Sequence, residues 1–504
     1  MGTDIKLTKI GFAILISLLF ASVVIPTYSF GTSNHNEQIP IILRTIDEKY
    51  LENDWFVNQN DGFSPRYYYS ILMASIAGQL GLPIAFYVIY ITSLVSLLTI
   101  ISLISLDLFK SYFAPIVTLS LIVYGPITIS NILGGDWLIY NLLIPASIAL
   151  PLTVLSTYFF LKKKFYLAFI ILGVVTFVHP LEGLLITCIL ALCLLILVKS
   201  IDIIKKTFCL GVYAIIACVA LLPVITFSSN IQNLQIFEVI TSIRHPHHYC
   251  PFSFPPSNYI IFLEVFAVFL GLILWKAKTN WSDKDTLFSL FFSTGIGLLV
   301  IGTIFVEILP VPLIGKLQLF RLAPYLVLVM YLYIGCGASQ AVRIFVRKIR
   351  NSNYKLSDNV TQYSNVLLLV GLVFVTLIFV NAVFNTSYLP ATGPRDPMYD
   401  WIKLHTPEDA IFLIDPSIED FRLRAERAIV IDWKAFPFQD EAVIGWWKRI
   451  QDVTNHGKGY NTLDETELAA LCEKHGASFI LIKSTSDLNL TTAYEDANYR
   501  IYSI

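Results

Sequence analysis

Long apolar runs, broken by short polar stretches, recur from residue 10 to residue 384. A helix that crosses a bilayer needs roughly 20 consecutive apolar residues. The runs at 10–30, 84–106, 113–131, 138–160, 165–178, 182–198, 207–227, 258–275, 286–308, 322–342 and 363–384 predict about eleven spans. The stretch 66–80 is short, opens with Arg66-Tyr67-Tyr68-Tyr69, and is cut from the next run by Gly81-Leu82-Pro83. It reads either as a twelfth span or as a helix lying at the membrane interface, where tyrosine is favoured. Beyond about residue 390 the apolar runs shorten. Helices are expected at 396–406, 440–454 and 463–475, and strands at 410–414, 428–431, 479–482 and 499–503. That alternation predicts a small α/β domain over 388–504 behind a transmembrane domain over 1–387.

Charge chooses between the two readings of 66–80. Lys6 and Lys9 precede the first run, so the amino terminus is expected in the cytoplasm. With 66–80 on the outer surface, Lys110, Lys162–Lys164, Lys199, Lys205, Lys206, Lys276, Lys278, Lys284 and Arg343–Lys355 all fall inside. With 66–80 crossing, the triple lysine and the Arg343–Lys355 cluster move outside. The expected protein is therefore a multi-pass cell-membrane protein with its carboxy-terminal domain outside the cytoplasm. Its outer side receives loops 31–65 and 228–257, the Gly134-Gly135-Asp136 turn, His179-Pro180-Leu181-Glu182 and the approach to Arg321.

Composition agrees and excludes some classes. Of 504 residues, 56% are hydrophobic and 14% charged, with mean hydropathy +0.67; soluble domains carry about a quarter charged residues. A net charge of −1 gives no footprint for nucleic acid. The seven cysteines are scattered, with no paired spacing that marks structural zinc. Residues 10–30 have the length of a signal peptide, but no small-residue cleavage site follows, so a retained first helix is expected.

Against this background the polar clusters stand out. Loop 31–65 carries His35, Glu37 and Asp54. Glycosyl transfer to an acceptor hydroxyl or amide needs a carboxylate to take or polarise the acceptor's proton. Glu37 equally suits the first turn of an amphipathic helix, and Asp54 a helix cap. Asp136 follows two glycines and reads as an N-cap or as a second carboxylate facing the same cavity. His179 and Glu182 flank a proline turn at membrane depth, where ionisable groups are costly and face a polar cavity or one another. Arg244-His245-Pro246-His247-His248 holds three of the eight histidines and suits a phosphate grip, or a metal through neutral imidazoles. Arg321 borders apolar sequence on both sides and reads as a snorkelling arginine or as a lipid-phosphate clamp. In the soluble part, Phe421–Arg424, Ile431–Lys434 and Trp446–Arg449 mix aromatic with basic residues, as sugar-stacking surfaces and ordinary element edges both do.

An inward amino terminus, an acidic first outer loop with interfacial helices, about eleven to thirteen spans and an outer carboxy-terminal domain resemble the GT-C superfamily. Its members are integral membrane glycosyltransferases that use polyprenyl-phosphate or polyprenyl-pyrophosphate sugars. Protein O-mannosyltransferases, aminoarabinose transferases and oligosaccharyltransferase catalytic subunits belong to it. His35-Asn36-Glu37-Gln38, Asn53–Phe56, Arg244–Tyr249, Gln318–Arg321 and Val430–Phe438 look like a prokaryotic branch of multi-span proteins. The resemblance implies a catalytic carboxylate at Glu37, with Asp54 second. It implies a further acidic residue at Asp136, and lipid-phosphate binding at Arg321. Many members show adjacent acidic residues early in the loop, whereas Asn36 precedes Glu37 here. Trp446-Trp447 is followed by Lys448, where the oligosaccharyltransferase pair is followed by an acidic residue, so that role is not carried over.

The expected function is transfer of a sugar from a polyprenyl-phosphate donor to a protein, glycan or lipid acceptor at the outer face of the bilayer. The catalytic candidates are Glu37 and Asp54. His35, Asp136, His179 and Glu182 are substrate-binding candidates, and Arg244, His247, His248 and Arg321 are lipid-phosphate candidates. A divalent ion such as Mg or Mn is a candidate partner of the carboxylates, and the metal requirement stays open. The rival expectations are a transporter or flippase of a lipid-linked or small solute, and a non-catalytic glycan-binding membrane protein.

Overall fold

The computed structural model describes residues 2–129, 132–227, 233–350 and 373–504. Residues 363–372 of the last expected span, Lys355, and residues 130–131 and 228–232 lie outside them. The chain forms two compact units. The first comprises Met1–Tyr28, Val88–Ala220 and Thr241–Ser387, and the second Ser29–Tyr87, Leu221–Ile240 and Tyr388–Ile504.

Among the described residues, 7 helical stretches have the length and hydropathy to cross a membrane: Thr8–Thr27, Leu82–Phe109, Pro180–Leu197, Ile203–Ile225, Pro256–Thr279, Asp283–Ile308 and Pro312–Ile344. These fit a multi-pass membrane protein. Phe113–Tyr124, Pro145–Leu161, Phe165–Val178 and Val373–Asn385 are apolar helices at other expected spans, but they are shorter. The helix expected over 138–160 begins only at Pro145. Gly134 and Gly135, at φ +85° and +68°, turn the chain before it, a conformation that costs glycine little.

Exposure differs sharply among these helices. Within its most apolar window, Pro312–Ile344 is 89% buried and Pro256–Thr279 only 17%. An apolar helix with open faces suits contact with lipid. The buried helix packs against Phe113–Tyr124, Pro256–Thr279 and Asp283–Thr303. Gly335 permits the first of these contacts. A Cβ there would stand 2.3 Å from Thr118 Oγ1 and 2.7 Å from the Ala114 carbonyl oxygen, and small residues are what let membrane helices approach closely.

The helix ends of the first unit sort into two groups. Lys9 and Lys162 both reach the Asp107 carboxylate, at 3.6 and 2.5 Å. Lys284 donates to the Asp107 carbonyl at 3.3 Å, and Arg343 to the Lys110 carbonyl at 2.6 Å. At the opposite end of the helix that bears Arg343 stand Arg321 and Tyr325, in the polar cluster described below.

The second unit contains the small sheet. Strands β1 (Ile411–Leu413), β2 (Ala428–Ile429), β3 (Phe479–Lys483), β4 (Thr491–Glu495) and β5 (Tyr499–Ser503) lie in the order β2-β1-β3-β5-β4. β1 runs parallel to β2 and β3, while β5 runs antiparallel to β3 and β4. Helices Asp396–His405, Asp440–Val453 and Glu465–His475 match the periodic segments of the sequence. Glu465–His475 starts because Asp464 accepts from Glu467 N at 2.8 Å while Glu467 accepts from Asp464 N at 2.9 Å, a reciprocal cap. Gly476, in the left-handed region, ends it. Strand β4 is not expected from the sequence. It is an edge strand with most positions exposed or half-buried, so it carries no apolar alternation.

The unit is larger than segment 388–504. Ile41, Leu51, Phe56 and Val57 from the early loop pack with Ala435 into one buried cluster. A second cluster, with Met398, Ile402, Phe412, Phe421, Leu481 and Ile501, joins the helices to the sheet.

Candidate functional site

In the second unit, Asp54 caps the short helix Trp55–Gln59, its Oδ1 accepting from Val57 N at 3.0 Å. Its Oδ2 accepts from Arg422 Nε at 2.7 Å and from Ile429 N at 3.1 Å. Arg422 also donates to Asp432, whose Oδ1 accepts from Ala435 N at 2.6 Å. The three side chains are at most 1% exposed. Burial pushes the Asp432 carboxyl up to about 6, against the pull of Arg422 and the Ala435 N–H. Asp54, expected as a second catalytic carboxylate, thus has both oxygens committed to holding the early loop on the sheet.

Glu37 is placed differently. It lies in the first turn of helix His35–Ile46 and forms a 2.8 Å ion pair with Arg66. Arg66 also lies over the Phe438 ring at 4.9 Å. His35 accepts from Gly31 N at Nδ1, 3.0 Å away, which leaves the proton of a neutral ring on Nε2. The imidazole packs edge-on against Phe86. Asn36 Oδ1, Gln38 Oε1 and Arg66 Nη1 are buried without a hydrogen-bond partner among the described residues. Unanswered polar atoms of this kind are rare in folded proteins.

The first unit gathers most of the remaining candidates. Arg321 Nη1 stands 3.4 Å from Asp136 Oδ1, and its Nε donates to Gln318 Oε1. Gln318 in turn donates to the Tyr249 hydroxyl. Tyr140 donates to Asp136 Oδ1 at 3.2 Å. Asp136 Oδ2 is buried without a partner among the described residues. Glu182, also within electrostatic reach of Arg321 and Asp136, accepts from the Tyr325 hydroxyl at 2.6 Å. His179 caps the helix of Glu182, accepting from Glu182 N at 3.3 Å, and its Nε2 stands 3.6 Å from Glu182 Oε1. The Gly134-Gly135 turn brings in the histidine segment. His248 Nδ1 pairs with the Gly134 carbonyl at 2.6 Å, and a Cβ on Gly135 would meet the His247 carbonyl oxygen at 3.2 Å.

With this geometry in place, comparison with known proteins adds one match. A family model described as "Domain of unknown function (DUF6798)" matches residues 395–453. No curated protein matches the chain. The matched segment runs from helix Asp396–His405 through β1 and β2 to the end of helix Asp440–Val453, and so holds Arg422 and Asp432 but none of the membrane-length helices.

The sequence candidates therefore separate. Asp136, His179, Glu182, His247, His248 and Arg321 belong to the first unit, where Arg321 links Asp136 and Glu182. His35, Glu37 and Asp54 belong to the second. Arg244 is half-buried at the end of the π-helical segment Val239–Arg244. No group of three His, Cys, Asp or Glu side chains among the described residues could hold a metal ion. Arg422 and Trp446, sequence candidates for a sugar-stacking surface, are both fully buried; Trp446 donates to the Asp432 carbonyl at 3.1 Å. Three participants were missed: Arg66, Tyr140 and Tyr325. Tyr325 was legible as the residue one turn after Arg321, on the same helix face. Tyr140 was likewise within reach of the sequence, four residues after Asp136. Arg66 carries no local signal, since its partner Glu37 is distant in sequence.

Proposed function

We propose that the protein is a membrane glycosyltransferase of the GT-C type, moving a sugar from a polyprenyl-phosphate donor to an acceptor at the outer face. The observation that carries this reading is the pair of buried Asp136 and half-buried Arg321, with Glu182, Tyr140 and Tyr249 around it, in a unit of apolar helices. An arginine at such a place suits a lipid phosphate, to which it donates charge-assisted hydrogen bonds. Asp136 Oδ2, buried and without a partner among the described residues, suits the base. The acceptor gives its proton to Asp136 as its oxygen or nitrogen attacks the anomeric carbon. The bond from that carbon to the donor phosphate breaks, and the lipid phosphate leaves with the electron pair beside Arg321. The sugar is delivered with inversion.

The eleven-span arrangement, with the amino terminus inside and the carboxy-terminal domain outside, belongs to the same proposal. Four apolar helices separate Lys9 from Lys162, and both lysines meet Asp107. An even number of crossings between them supports leaving Tyr67–Leu80 out of the count.

The test is sugar transfer in membranes from a panel of labelled polyprenyl-phosphate sugars. Wild type should transfer from at least one donor, and Asp136→Asn should lower the rate by about 10²–10⁴-fold at equal expression. Transfer that survives in Asp136→Asn but collapses in Glu37→Gln would reassign the base to Glu37. Folded wild type that transfers from none of the donors would overturn the enzyme in favour of a transporter, whose buried ionisable groups mark a solute path.

A further inference from the structure

A cleft of about 540 Å³ opens in the second unit, lined by Arg395, Arg424, Lys483, Thr485, Asn498 and Tyr499 among others. It lies at the carboxyl end of β3, the end of a parallel strand outside which open α/β sheets bind their ligands. Its volume falls in the range of small-molecule sites, roughly 300–1,000 Å³. None of these residues takes part in the Asp136–Arg321 cluster or in the Glu37 turn.

The charges of the cleft are arranged rather than scattered. Arg395 donates from Nη1 to Asp420 at 2.9 Å and from Nε to the Tyr499 hydroxyl at 3.0 Å. Arg424 donates from Nη1 to the Ala391 carbonyl at 2.8 Å and from Nη2 to Asp396. Both guanidinium planes are thereby fixed, while Arg395 Nη2 and Arg424 Nε keep a donor to spare among the described residues. Asp396 and Asp420 also line the cleft and neutralise the two arginines. Lys483 is exposed, has no ion-pair partner among the described residues, and leaves the cleft with one surplus positive charge. The Thr485 hydroxyl, the Asn498 amide and the half-buried Tyr499 ring add uncharged donors, acceptors and an aromatic surface. A lone inorganic anion would use only the cations. A polyhydroxy ring that bears one anionic group would use all of them.

We propose that this cleft binds an anionic saccharide, a sugar carrying one carboxylate or phosphate, with Lys483 and the arginine edges on the anion and Thr485, Asn498 and Tyr499 on the ring. The site is independent of the sugar-transfer reading and is tested by binding alone. The full-length protein in detergent is titrated calorimetrically with glucuronate, glucose 6-phosphate, glucose and inorganic phosphate. One or both anionic sugars should bind about tenfold or more tighter than glucose and than inorganic phosphate. Glucuronate and glucose 6-phosphate distinguish a carboxylate from a phosphate as the anion. Lys483→Ala, an exposed change that leaves thermal unfolding unaltered, should weaken binding about tenfold, and Lys483→Arg should restore most of it. Equal affinity for glucose, equal affinity for inorganic phosphate, binding unchanged in Lys483→Ala, or no binding of either anionic sugar would each overturn the proposal.

Discussion

Arg422 shows how one residue changes meaning between sequence and fold. In the sequence it sits in Phe421-Arg422-Leu423-Arg424, a stretch that resembles a sugar-facing surface. In the structure it is fully buried between Asp54 and Asp432. Removing one partner of such a network strands the others as uncompensated buried charges, at about 3–5 kcal/mol. Arg422→Met should therefore destabilise the protein by about that amount, read as a lower thermal unfolding temperature and faster proteolysis of the second unit. An unchanged unfolding temperature would mean that the network is not what holds the early loop. At this scale the sequence was read best where chemistry is local. Asp54 as a cap, Glu37 as a first-turn charge and His179 beside Glu182 were all legible within a few residues. The partners Arg66 and Arg422 were not, because each meets its carboxylate across a fold that a single sequence does not display.

Elements were more legible than residues. Apolar periodicity located every long helix of the first unit, and the three longer helices and four of the five described strands of the sheet domain fell close to their expected positions. The misplaced boundaries have a common cause. The expected span 113–131 breaks at Gly125-Pro126 into Phe113–Tyr124 and Pro126–Ile129, and that over 138–160 becomes helical only at Pro145; hydropathy alone does not separate apolar loop from apolar helix. Strand β4 escaped notice because an edge strand needs no buried face. Helix contacts carry their own prediction. Gly335 stands where a side chain would collide with Thr118 and the Ala114 backbone. Gly335→Leu should separate Phe113–Tyr124 from the central helix and cost about 1–3 kcal/mol, seen as a lower unfolding temperature in detergent. Gly297, with nothing within 4 Å of its Cβ position, is the control, and Gly297→Ala should have a small effect.

For the whole molecule, the shared Asp107 of Lys9 and Lys162 makes topology testable without a structure. In a variant freed of its own cysteines, a single cysteine introduced by Lys163→Cys should react with a membrane-impermeant maleimide only after cells are lysed. One introduced by Asn498→Cys should react in intact cells. The reverse pattern would invert the proposed orientation, and labelling of both in intact cells would break the eleven-span count. Fold class was open to reading from composition and periodicity because the bilayer demands long apolar helices. The division into units was not, since the second unit is assembled from three separated segments.

That discontinuity matters to a ribosome. Asp54 and Arg422 are 368 positions apart, and chains grow at about 5–20 residues per second, so the early loop waits roughly 20–70 s for the residues that complete its core. Throughout that interval Ile41, Leu51 and Phe56 lack the cluster partner Ala435, and Asp54 lacks its counter-charge. A nascent chain of this design leaves that loop unsheltered until its partners emerge, and a message truncated before codon 422 would yield a protein whose early loop never finds its place.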